Sequence, residues 1–191
     1  MKKSSFLIIG IAALMLTIPN AYSTDKDMIT YLSITELTQT SLTLAESTLE
    51  SGDFDSAKKL IDFGSKQFSN NLQTLRNVDA SLTDELHISL IDLQTRNFSP
   101  DNRSAILSDI NRINELLDST PEDPELIPNV IVAHLIIVDQ QYENYEVNED
   151  EFSYQMALGF MERANQMFYA QTDYGERQKI ELESFFNDMF D

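Results

Sequence analysis

The chain has no cysteine and no tryptophan, only five glycines and five prolines, and two histidines in 191 residues. Without cysteine there can be no disulfide, no thiolate metal ligand and no cysteine-anchored lipoprotein, so stability must come from the core. Scarce glycine and proline mean few helix breakers, and strand-like alternation is almost absent. Two distant histidines leave no HExxH or paired-ligand spacing. GxSxG, glycine-rich phosphate loops and EF-hand loops are also missing. No nucleophile–base pair stands out, and the expectation is a protein that is not an enzyme. Basic residues are few as well, 13 against 32 acidic ones, for a net charge of −19. That disfavours nucleic acid and anionic membrane surfaces and permits cationic partners.

The amino terminus carries an address. Lys2 and Lys3 precede an apolar run from Phe6 to Ile18, and Pro19 ends it. At about 13 residues the run is shorter than the roughly 20 that span a bilayer. Ala21 and Ser23 occupy the −3 and −1 positions of a small-residue cleavage site. The expectation is a signal peptide over residues 1–23, the alternative an uncleaved anchor. The mature protein, secreted or extracytoplasmic (periplasm or cell surface), then has 168 residues and a net charge of −21. No later run reaches membrane-spanning length. Asn102-Arg103-Ser104 and Asn97-Phe98-Ser99 are glycosylation sequons, the second weakened by Pro100.

Apolar spacing predicts an all-α, up-and-down bundle of six to seven helices in a single domain over residues 24–191. The first half covers about 27–98, a linking helix about 100–118, and the second half about 126–191. Helix 1 should run from Asp27 to Leu49 and end at Gly52, with Asp53 capping its successor. Phe54, Ala57, Ile61, Gly64, Phe68, Leu72 and Leu75 fall within about 80° of arc on one helix, a narrow buried seam. Leu82, Leu86, Leu90 and Leu93 mark helix 3. Ser99-Pro100 should cap and open helix 4, whose core face is Ile106, Ile110, Ile113 and Leu117. Three further helices are expected at about 128–146, 151–170 and 173–189. At an offset of 100, FDSAKKLIDFGSKQF and YQMALGFMERANQMF align, Phe54 with Tyr154 and Phe68 with Phe168. Either the chain repeats a three-helix unit, or two amphipathic helices look alike.

One constellation carries candidate chemistry. Asp139, Glu143, Glu146 and Asp150 step by 4, 3 and 4, so a helix reaching Asp150 would hold all four within about 60° of arc. Like charges at this spacing repel, and a divalent or ferric cation would relieve the repulsion. The plain alternative is a solvated acidic face. His134, within VIVAHLIIVD, reads as a hydrogen-bonded core residue, and His87 as a surface residue with Asp84 one turn away.

Gly52-Asp53-Phe54-x-x-Ala57 resembles the corner of a tetratricopeptide repeat. That array would need a second copy 34 residues on, where Leu86 sits within a helix, so it is disfavoured. SGDFDSA followed by DASLTDELHISL, over about residues 30–95, is also similar to the extracytoplasmic helical domain associated with ferric-iron permeases. That resemblance implies metal handling by acidic and histidine side chains. The permease membrane helices and the R-E-x-x-E motif are absent, so transport is not implied. Where such relatives carry acidic residues, this chain reads QFSNNLQTL. The sequence thus leaves two readings. One is a binding or accessory protein of an envelope or membrane complex, able to handle metal. The other is a metal-free scaffold that binds a partner protein in an inter-helix groove.

Overall fold

The computed structural model describes residues 26–120 and 123–170. The signal peptide expected at 1–23 and the helix expected at 173–189 both lie outside them. Among the described residues there are seven α-helices and no strand. They are α1 (Lys26–Ser51), α2 (Phe54–Asn70), α3 (Leu72–Val78), α4 (Ala80–Gln94), α5 (Arg103–Leu117), α6 (Ile127–Asn148) and α7 (Glu151–Ala170). The all-α bundle is as the spacing predicts. The chain forms two compact units that divide between Val130 and Ile131, inside α6.

In the first unit, α1 packs along α2 and also meets α3 and α5, while α4 packs on α2 and α5. Four helices therefore close a ring, α1–α2–α4–α5, with short α3 as the corner between α2 and α4. The corner from α1 to α2 follows from two residues. Gly52 takes φ +90°, Asp53 N–H donates to the Thr48 carbonyl and Gly52 N–H to that of Leu49. This pair of bonds ends α1 in the left-handed manner that glycine tolerates best. Asp53 then accepts from Ser56 N–H at 3.0 Å and caps α2.

The Ser56 backbone amide, then the Ser56 side chain, hold the Asp53 carboxyl below its ordinary pKa. A carboxyl with a lowered native pKa contributes stability in full above the unfolded value of about 3.9 and loses it as pH falls through the native value. Asp53→Ala is therefore expected to cost about 1 kcal/mol at pH 7, a typical loss for a helix cap. Denaturant melts of both proteins at pH 7 and pH 2.5 check this. The gap should shrink at the lower pH, and a pH-independent gap would rule out the charged cap as its source.

The apolar seam is buried at Ala57, Ile61, Gly64, Phe68 and Leu75, and half-buried at Phe54 and Leu72. It does not lie on one helix as the spacing predicts. The chain breaks at Asn71, whose side-chain amide donates to the Gln67 carbonyl at 2.8 Å while its N–H turns back to Phe68. Asparagine competes in this way for the backbone acceptors that a continuing helix needs. α5 also begins later than expected. Ser99 makes no side-chain cap bond, and Pro100–Asn102 form a 3-10 turn before α5 starts at Arg103. The Asn102 side chain is committed to the Asn97 carbonyl at 3.0 Å. The core face of α5 is as predicted, with Ile106, Ile110, Ile113 and Leu117 buried. The Arg103 guanidinium donates to the Glu50 carbonyl at 2.9 Å, tying the start of α5 to the end of α1.

α1 buries five hydroxyl residues, Ser33, Thr35, Thr38, Thr40 and Ser41. Thr35, Thr38 and Ser41 donate to carbonyls four residues back, at 2.7 to 2.9 Å, so these groups are satisfied locally. Tyr31 is also buried, its hydroxyl lacks a hydrogen-bond partner, and its pKa is pushed up to about 12 by burial and then by the Asp79 charge.

In the second unit, the rest of α6 and α7 form a hairpin. His134 lies against Phe160, and Tyr145 against Tyr154, so the helices run antiparallel. Burial matches at the offset of 100: Ala57 and Ala157, Ile61 and Met161, Gly64 and Ala164, and Phe68 and Phe168 are all buried. The helix starts do not match, since α2 opens at Phe54 but α7 at Glu151.

Candidate functional site

α6 changes character along its length. Val130 to Val138 supply its buried residues, including Leu135 and His134. From Asp139 onward it is acidic. Between His134 and Arg163 the chain carries seven carboxylates and no basic residue. The acidic half leads into the hairpin tip, which is tightly pinned. Glu149 takes φ +54°, and its N–H donates to the Tyr145 carbonyl at 2.8 Å. This left-handed residue ends α6. Asn148 Nδ2 donates to Asn144 Oδ1, Asn144 Nδ2 to Ser153 Oγ, and Ser153 Oγ to Asp150 Oδ2, at 2.6, 2.6 and 2.7 Å. The relay fixes the tip through side chains of both helices.

Asp139, Glu143 and Glu146 lie on α6 as expected. Asp139 is half-buried; Glu143 and Glu146 are exposed. Asp150 does not join their face. The helix stops at Asn148, Glu149 reverses the chain, and the Asp150 carboxylate is held by Ser153. The rise of 1.5 Å per residue also separates Asp139 from Glu146 by about 10 Å along the axis, too far for one ion with oxygen ligands at about 2.5 Å. Among the described residues no three His, Cys, Asp or Glu side chains come together to hold a metal ion. The Asp139 pKa is raised, first by burial and then by the Glu143 charge. A positive group brought to this face would relieve both carboxylates.

Beside the acids runs a row of tyrosines. Tyr142 and Tyr145 have ring centroids 6.2 Å apart, and Tyr145 and Tyr154 5.0 Å apart, with interplanar angles of 54° and 41°. All three are half-buried, and nearby Val147 is 74 % exposed. Tyr142 and Tyr145 stand among the α6 carboxylates in the chain, whereas Tyr154 lies beyond the turn, on α7. The signal that joins it to the row is its position just past the turn of a helical hairpin.

The histidines are not part of this face. His134 is fully buried, its ring centroid 5.5 Å from that of Phe160. His87 is half-buried, and its expected neighbour Asp84 accepts from Arg76 Nε at 2.7 Å. Elsewhere, a concavity of about 430 Å³ is lined by Asp92, Thr95, Arg96, Asn97, Asn102 and Ala105. Arg96 is engaged there by Asp109 at 2.7 Å. Both sequon asparagines line this notch, and it holds no buried charge. Among the described residues no helix is long and apolar enough to cross a membrane.

The chain matches no protein-family model, no curated protein and no solved structure. The fold and this hairpin therefore define it only as an all-α helical bundle with an acidic, tyrosine-bearing face.

Proposed function

We propose that the protein is a non-catalytic helical binding module acting outside the cytoplasm, and that its α6–α7 hairpin engages a cationic partner, such as a subunit of an envelope complex. One observation carries the reading. Seven carboxylates and no basic residue lie between His134 and Arg163, on a hairpin whose tip is pinned by side-chain hydrogen bonds. A rigid single-sign surface raises the local concentration of opposite charge and speeds encounter. The leader-like amino terminus supports the address. A ferric or divalent ion as cargo is the competing reading, and what favours it is the crowding of Asp139 by Glu143.

Calorimetry of the purified protein with polylysine, and separately with Ca²⁺, Mn²⁺ and Fe³⁺, is the test. Polylysine binding should weaken steeply with salt. It should drop at least about tenfold in a variant with Glu143, Glu146, Glu149 and Glu151 all changed to Gln, as expected if each lost charge removes a few tenths of a kcal/mol. Unchanged polylysine binding in that variant would sink the hairpin reading. Saturable one-to-one heat from a metal, abolished by Asp139→Asn, would replace it with the metal reading.

A further inference from the structure

We infer that the row formed by Tyr142, Tyr145 and Tyr154 is a docking face for an arginine-bearing basic segment of a partner protein. This deepens the proposed function and rests on it: the acidic hairpin attracts a positive partner, and the tyrosines select which one. The carboxylates alone would accept any cation. The aromatic row beside them narrows the choice.

The geometry follows from helix numbering. At 100° per residue, Glu146 lies about 40° around α6 from Tyr142, and Asp139 about 60°. Tyr145 lies about 60° to the other side. The row thus has carboxylates along one flank, one turn above and one turn below Tyr142. Tyr154 extends it onto α7 through the 5.0 Å ring contact with Tyr145. The rings form a row on a hairpin, tilted to one another by 41° and 54°. That shape suits side chains presented by an extended or helical segment better than a small caged ion.

Guanidinium fits the row better than ammonium. It is planar, stacks on aromatic faces and carries a fork of N–H donors that can reach a carboxylate while the ring is covered. Ammonium is a compact, strongly hydrated charge and gains less from the ring. Nucleic acid and anionic lipid are repelled by the carboxylates. A single metal ion cannot bridge a flank that spans about 10 Å between Asp139 and Glu146. A basic polypeptide is the occupant whose charge and shape match.

The chain has no tryptophan, so its tyrosines can be read directly. Fluorescein-labelled peptides of alternating arginine and glycine, lysine and glycine, and glutamate and glycine would be titrated by anisotropy at low and physiological salt. The arginine peptide should bind about threefold or more tighter than the lysine peptide, and the glutamate peptide should not bind. Tyr145→Leu and Tyr154→Leu should each weaken the arginine peptide by about two- to fivefold, the effect of one exposed cation–π contact, and leave the lysine peptide unchanged. Tyr145→Phe keeps the ring face and should bind as the parent does. If a leucine variant does not fold, the tyrosine ring resonances of the parent protein decide: the arginine peptide should shift them and the lysine peptide should not. Leucine variants that bind the arginine peptide normally, or lysine binding equal to arginine, would overturn the tyrosine row and leave the acidic hairpin standing. Failure of every basic peptide to bind would overturn both.

Discussion

Gly64→Val should lower the stability of the first unit by several kcal/mol, and even Gly64→Ala should lower it. In an exposed helix, alanine in place of glycine would gain about 1 kcal/mol. Gly64 faces α1, however. A β-carbon added there would meet Ser41 Cβ at 2.9 Å, Ser41 Oγ at 3.3 Å and the Thr38 carbonyl at 3.5 Å. Ser41 Cβ sits directly on the α1 backbone, so rotating a side chain cannot relieve the clash, and the two helices must separate. Overpacking of this kind costs about 1–3 kcal/mol per inserted group. The net expectation is a loss of about 1–2 kcal/mol for alanine and 3 kcal/mol or more for valine, which adds two further carbons and a β-branch. Urea melts followed by circular dichroism would measure both. Combining Gly64→Ala with Ser41→Gly should restore part of the loss, because it removes the colliding carbon. A raised midpoint for Gly64→Ala would show that the helices are not in close contact there.

Phe160→Ala should have the larger effect in the second unit, about 3–5 kcal/mol. Phe160 is fully buried and packs against the ring of His134, which is also fully buried. Truncation removes the ring contact and leaves a cavity lined in part by an imidazole. Phe160→Leu should cost less than half as much, since it retains most of the volume. Tyr169→Ala, at a position 58 % exposed, is the control and should stay within about 0.5 kcal/mol. Melts showing Phe160→Ala within 1 kcal/mol of the parent would mean that this contact does not hold the hairpin together.

Helix existence was legible wherever apolar side chains carried the buried face. α4 and α5 could be read from Leu86, Leu90 and Leu93 and from Ile106, Ile110, Ile113 and Leu117, because leucine and isoleucine repeat with the helical period. α1 was legible only near its end, at Leu42, Ala45 and Leu49. Further up, much of its inner face is serine and threonine, whose hydroxyls are satisfied by their own backbone, so polar letters stand where apolar ones are expected. The break at Asn71 was hidden for a different reason. The apolar residues on either side stay in phase, and periodicity does not register a side-chain amide that takes a backbone acceptor.

The candidate site was half legible. The carboxylates on α6 could be found by spacing. That Asp150 leaves their face could not, because it depends on one left-handed residue, and Glu149 is not a residue type that signals such a turn. The tyrosine row needs the pairing of two helices across that turn, which no spacing along a single helix conveys.

The hydroxyls of α1 have a consequence for how the helix finds its place. Thr35, Thr38 and Ser41 donate to their own spine, so they give the neighbouring helix little directional grip; Thr38 reaches the Gly64 carbonyl only at 3.5 Å. Along the α1–α2 contact itself, the axial setting then depends on shape. A slide of one turn, about 5.4 Å, in one direction would bring the bulk of Leu37 to the spot where Ser41 now meets Gly64. The missing side chain at position 64 therefore works as a detent: it admits α1 at the setting where a small residue arrives and resists it where leucine does.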